Sequence, residues 1–118
     1  MHHNDFNDYQ SKANLSAKYP KILDNLLYPA LKLNGEAGEV AEKVGKLMRD
    51  KGYWPGEGKE ISNEDRHALL LELGDVLWYV AAIATELSTN LEDVATMNLK
   101  KLDDRMNRDM ISGSGDTR

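Results

Sequence analysis

At 118 residues the chain has the length of one domain, long enough to bury a core without covalent staples. It contains no cysteine, which excludes disulfides and thiolate metal sites and suits the reducing cytoplasm. A net charge of −5 argues against a nucleic-acid partner, which would want a basic face, yet admits an anionic substrate drawn to acidic residues by a metal cation.

Residues 4 to 18 suit a first helix, with Phe6, Tyr9, Ala13 and Ala17 on one side. Tyr19-Pro20 is expected to end it, because the residue before a proline avoids the helical region. Residues 20 to 28 read as a connector. Pro29 fits the first turn of a second helix, where its missing N–H does no harm. That helix should run to about Asp50, with Leu33, Ala37, Val40, Ala41, Val44, Leu47 and Met48 along one face and Gly52 to cap its end. "KGYWPGEGKE" (51–60), with three glycines and a proline, is a loop. Ser62 and Asp65 resemble a capping box and open a third helix over roughly 63–87. Thr89 with Glu92 fits the box better and should start a fourth, whose stripe is Leu91, Val94, Ala95, Leu99, Leu102 and Met106. The closing "ISGSGDTR" leaves helical composition. No run alternates apolar and polar residues as a strand would. The expectation is an all-α four-helix bundle in one domain, 1–111, with a Gly/Ser tail at 112–118.

The third helix contains the puzzle. Leu69, Leu73, Val76, Val80, Ile83 and Leu87 define its expected core face. Leu71, Trp78, Tyr79 and Ala82 make the other side apolar too, and Glu72 and Asp75 lie on that side. A helix apolar all round is buried all round, so a further layer or a second subunit should cover this face with the two acids inside the contact. The uncharged stretch 76–85 is shorter than the roughly 20 residues needed to span a bilayer, so no membrane role is expected. On the second helix Glu36 and Glu39 are also three apart, with Lys43 on the same side. If the two helices pack antiparallel, four carboxylates face one another, and hard divalent cations resolve their repulsion. Solvated faces, or ion pairs to Lys43, Lys46 or Arg66, would account for the same acids without a metal.

"GEAGEV" (35–40) followed by "ELGDVLWYVA" (72–81) resembles the E-x-x-E … E-x-x-D signature of the MazG-like all-α nucleoside triphosphate pyrophosphohydrolases. "NLKKLDDR" (98–105), "GSGDTR" (113–118) and "DYQSKA" (8–13) resemble three further segments of that family, in the same order. Two departures are Gly35, where many relatives carry another glutamate, and Arg108-Asp109, where relatives often show Arg-Gly. The resemblance implies hydrolysis of the α–β phosphate linkage of nucleoside triphosphates to monophosphate and pyrophosphate. It implies Glu36, Glu39, Glu72 and Asp75 as ligands of Mg²⁺, with Mn²⁺ as the alternative, and Glu36 or Glu39 as the residue acting on the attacking water. It also implies substrate contacts from Lys43, Asn98, Lys101 and Arg105, a tail ordering over nucleotide through Asp116 and Arg118, and a homodimer or homotetramer.

Read alone, Asn98 with Lys101 and Arg105 on one flank of the fourth helix suits a polyphosphate, and equally suits a core amide beside snorkelling cations. Trp54 and Trp78 either stack on a base or pack structurally. Two other readings stand beside the pyrophosphohydrolase. One is a relative specific for dUTP, dCTP or phosphoribosyl-ATP, and the other a non-catalytic helical adaptor whose acids make structural pairs.

Overall fold

A computed structural model describes residues 5–112. Among them the chain forms four helices and no strand: α1 (Phe6–Asn14), α2 (Leu27–Lys51), α3 (Asn63–Glu86) and α4 (Leu91–Ser112). The all-α class expected from the periodicity is the one found. α2 closes at Gly52, whose φ of 73° is open to glycine and whose N–H returns to the carbonyls of Leu47 and Met48. Ser62 caps α3 by accepting from the Asp65 N–H at 3.1 Å. Asp65 does not complete the box. Its carboxylate takes Lys51 Nζ at 2.8 Å and ties the end of α2 to the start of α3. In the loop between them the Tyr53 hydroxyl accepts from the Ser62 N–H at 3.3 Å and Lys59 lies over the Tyr53 ring. Tyr53 therefore secures this loop, while Trp54 is exposed.

Three boundaries differ from the sequence expectation. α1 ends at Asn14 rather than near residue 18. Its last turn is claimed by α3: the Thr85 hydroxyl donates to Asn14 Oδ1 at 3.1 Å, and Trp78 Nε1 donates to Ser16 Oγ at 2.9 Å. α4 starts at Leu91, and Asn90 rather than Thr89 caps it, accepting from the Asp93 N–H at 2.8 Å. Thr89 gives its N–H to the Ala84 carbonyl instead. Two more free N–H groups of the α4 start are satisfied by α1, that of Leu91 by Gln10 Oε1 at 2.8 Å and that of Glu92 by Asn7 Oδ1 at 3.2 Å. α4 also continues through Ser112, the first residue assigned to the tail.

The buried centre is small. Ala81, Ala84 and Leu91 form it, with Tyr9, Val80 and Val94 packed against it. The expected core face of α3 is therefore covered only in part: Leu73 and Leu87 are exposed, and α3 instead buries Glu72, Ala81, Ala82 and Ala84. The reason is the placement of α4, which meets α1 and the α3 residues near Leu91 and Val94 but does not touch α2. The bundle is open, leaving Leu70, Leu71, Leu73, Met97, Leu99 and Met106 uncovered in a single chain. By length and composition α3 could cross a bilayer. Its packing against α1 and α2, with Glu72 enclosed, makes it the central helix of the fold.

The connector between α1 and α2 is fastened to one side chain. Glu86, at the end of α3, accepts from the Tyr19 hydroxyl at 2.5 Å and the Leu23 N–H at 2.9 Å on Oε2, and from the Asn25 N–H at 2.9 Å on Oε1. Asn25 closes the connector through Pro20 O at 2.8 Å and accepts from the Tyr28 N–H at 3.0 Å where α2 begins.

Two outcomes follow from these polar hubs. Gln10 is buried and makes three hydrogen bonds, to Thr85, Thr89 and Leu91. Gln10→Ala should destabilise the fold by about 2–4 kcal/mol, read by urea unfolding at fixed protein concentration. The Glu86 carboxyl is held below its ordinary value of 4.5 by the Tyr19 hydroxyl first and then the Asn25 N–H, against desolvation. A depressed folded value means that its contribution is complete above the unfolded value and lost as pH falls through the folded one. The melting-temperature gap between wild type and Glu86→Gln should be steady above pH 4.5 and shrink on acidification below it.

Candidate functional site

α2 and α3 run antiparallel, since Lys51 meets Asp65 at one end and Tyr28 acts on Tyr79 at the other. Between those ends, Glu36 and Glu39 of α2 face Glu72 of α3. The three present carboxylate oxygens that all lie within 4.8 Å of one another. Glu72 is only 7% exposed, and its Oε1 is buried without a hydrogen-bond partner. Desolvation first, then Glu39 close enough to share a proton, then the charge of Glu36, push its carboxyl above the ordinary range, with Lys43 opposing. The cations considered as structural partners make no salt bridge with it, and Lys43 acts only through its field.

Carboxylates this close repel one another, and the buried Glu72 has least water to offset the repulsion. One resolution is a shared proton; the other is a cation. The donor set is all oxygen, and one buried oxygen is already stripped of other partners. Those residues fit a hard divalent ion.

Asp75, one turn further along α3, is exposed and lies outside this trio. It opens with Glu36 onto a cavity of about 600 Å³ walled by Lys18, Tyr19, Tyr28, Trp78 and Tyr79. Its charge helps raise the Tyr9 and Tyr79 hydroxyls, though burial is the larger cause in both. Tyr19 stacks on Tyr28 with centroids 5.0 Å apart, and Trp78 meets Tyr79 edge-on at 4.8 Å. The cavity wall thus combines two carboxylates with four aromatic rings, and Glu36 belongs to both the cavity and the carboxylate trio. The sequence placed Trp78 and Tyr79 on this face but read Tyr19 only as a helix terminator and Tyr28 as connector. Two tyrosines flanking a short link into the acidic helix were the available signal.

The remaining expected residues are elsewhere. Asn98 and Lys101 are exposed and line a second cavity of about 510 Å³, with Phe6, Leu77, Val80 and Leu91 among its walls. Arg105 is half-buried on the same helix. Within one chain α4 does not reach α2, so these side chains and the carboxylate trio are not brought together. Lys43 borders a smaller hollow with Lys46 and Asp65. Asp116 and Arg118 lie outside the described residues.

A family model, described as the MazG nucleotide pyrophosphohydrolase domain, matches residues 28–109. The chain belongs to the MazG family. The matched span holds both acid pairs and the Asn98–Arg105 segment, and begins where the aromatic wall enters α2. Among curated proteins, Gene 37 protein of Mycobacterium phage L5 is 44% identical over 115 residues, covering 93% of this chain and 96% of that protein. No solved structure matches with significance.

Glu72→Gln removes one charge from the trio while keeping its volume. Without divalent ions the variant should melt higher than wild type. Saturating Mg²⁺ or Mn²⁺ should raise the wild-type melting temperature by about 5–10 °C and leave the variant nearly unmoved, as followed by scanning fluorimetry.

Proposed function

We propose that the chain is a Mg²⁺-dependent nucleoside triphosphate pyrophosphohydrolase, converting a (d)NTP and water to (d)NMP and pyrophosphate. The observation that carries this reading is the unpartnered, buried Glu72 oxygen gathered with Glu39 and with Glu36, which also lines an aromatic cavity. Family membership supports the reaction class. Glu36, Glu39 and Glu72 would hold the cation, with Asp75 completing the set from the cavity side. Bound there, Mg²⁺ or Mn²⁺ neutralises charge on the phosphate oxygens and makes the anhydride more electrophilic.

The chain's own groups do the rest. Glu36 borders both the trio and the cavity and is suited to orient or deprotonate the attacking water; Glu39 is the alternative base. The water oxygen forms a bond to one phosphorus of the α–β anhydride and gives up a proton to the glutamate, the bridging P–O bond breaks, and (d)NMP and pyrophosphate separate. Tyr19, Tyr28, Trp78 and Tyr79 offer ring faces and edges to the nucleoside, and Lys18 a charge at its rim.

Asn98, Lys101 and Arg105 enter through a second copy of the chain. A homodimer or homotetramer that presents α4 of one protomer to the acidic cavity of another would add these groups to the polyphosphate. It would also cover the apolar side chains left open on α3 and α4. We place the enzyme in the cytoplasm, where nucleotides and Mg²⁺ are available and a cysteine-free chain is at no disadvantage.

Incubation with dNTPs and Mg²⁺, with products separated by ion-exchange chromatography, should give monophosphate and pyrophosphate. Glu39→Gln and Asp75→Asn should each lower kcat/KM by about 10³-fold or more. Orthophosphate released from the γ position, or turnover indifferent to a chelator, would contradict the reading.

A further inference from the structure

Glu86 stands eleven residues beyond Asp75 on α3, about 16 Å of helix rise, too far to touch the carboxylate trio. It nevertheless takes three hydrogen bonds from the connector, two of them from backbone N–H groups. That connector is held in an unfavourable shape. Lys21 and Leu23 have φ values of 58° and 71°, the left-handed region that a Cβ disfavours. Such backbone persists where its surroundings over-determine it. The Leu23 side chain is 69% exposed, so burial of that residue does not hold it. The Glu86 carboxylate does, through the Leu23 N–H. From this clasp the restraint passes directly to the cavity. Tyr19 is bound by its hydroxyl and stacks on Tyr28, and Asn25, bound by its N–H, accepts from the Tyr28 N–H. Both tyrosines line the cavity that Glu36 and Asp75 open onto.

We propose that Glu86 is a positioning residue: its carboxylate clasps the connector and sets Tyr19 and Tyr28 as the wall against which the nucleoside end of the substrate packs. This rests on the nucleoside triphosphate reading of the cavity. It separates two kinds of binding that a merely structural role would affect together. The polyphosphate end lies against acids on α2 and α3, which Glu86 does not touch. The nucleoside end lies against a wall that Glu86 holds.

The test is calorimetric titration, in Mg²⁺, of wild type, Glu86→Gln and Tyr19→Phe with an α,β-imido deoxynucleoside triphosphate and separately with tripolyphosphate. Glu86→Gln replaces one accepting oxygen with an amide donor and should weaken the nucleotide analogue about tenfold while leaving tripolyphosphate affinity unchanged. Tyr19→Phe keeps the ring, loses one bond, and should show the same split at about threefold. It carries the test if the Glu86 variant does not fold. Unchanged nucleotide affinity in the variants, or an equal loss for both ligands, would overturn the inference, as would a wild type that binds neither. A wild type that binds the analogue but hydrolyses no triphosphate would contradict the proposed reaction, and the split between the two ligands would still decide the role of Glu86.

Discussion

The contact between α2 and α3 is organised around a carboxyl that has been taken out of water with one of its oxygens left without a hydrogen-bond partner. Helix–helix contacts of this kind are ordinarily apolar, and a buried carboxylate in one is destabilising unless hydrogen-bonded or paired. Glu72 is buried, one of its oxygens has no hydrogen-bond partner, and its nearest charged neighbours include two more carboxylates. A fold that breaks a local rule in this way does so at a functional site more often than elsewhere. Here the sacrifice in stability makes sense if the vacancy in bonding at Glu72 is what a cation meets.

The open bundle belongs to the same design. Among the described residues the buried core cluster is Ala81, Ala84 and Leu91, which is little apolar area to hold the helices together. Its long α4 projects Met97, Leu99 and Met106 into solvent, and α3 does the same with Leu70, Leu71 and Leu73. Polar hubs stand in for part of the missing core: Gln10 ties α1 to the α3–α4 turn, and Glu86 ties the connector to α3. The cations of α4 and the acids of α2 and α3 sit on surfaces that one chain does not bring together. Assembly would address the exposed face and the divided site at once.

The helices and the acid pairs were legible in the sequence because each rests on local spacing. Periodicity marks α2 and α3 to within about two residues, and the i, i+3 acids project from their helices wherever those helices go. The choice among the four acids was not legible. Glu72 and Asp75 look alike in sequence, yet Glu72 is enclosed by α2 while Asp75 stays open to the cavity, a difference set by where the neighbouring helix crosses. Gln10 and Glu86 were missed for a related reason. Each is one polar residue on an unremarkable helix, and its partners lie some 60 to 80 positions away. The α4 cap differs from the sequence expectation because Thr89 satisfies the box pattern but gives its N–H to closing α3, while Asn90, Gln10 and Asn7 serve the new helix. α1 is shorter than the sequence suggests because Tyr19-Pro20 is a valid stop signal that tertiary bonds at Asn14 and Ser16 pre-empt.

The central claim is that the gathering of Glu36, Glu39 and Glu72 exists to hold a divalent cation. The most direct measurement is a crystal structure grown with Mn²⁺, with anomalous differences collected at the manganese edge. A peak is expected between these three carboxylates, with Glu72 Oε1 turned toward it. Absence of a peak there at saturating Mn²⁺, with Glu72 instead hydrogen-bonded to a protein donor, would contradict it.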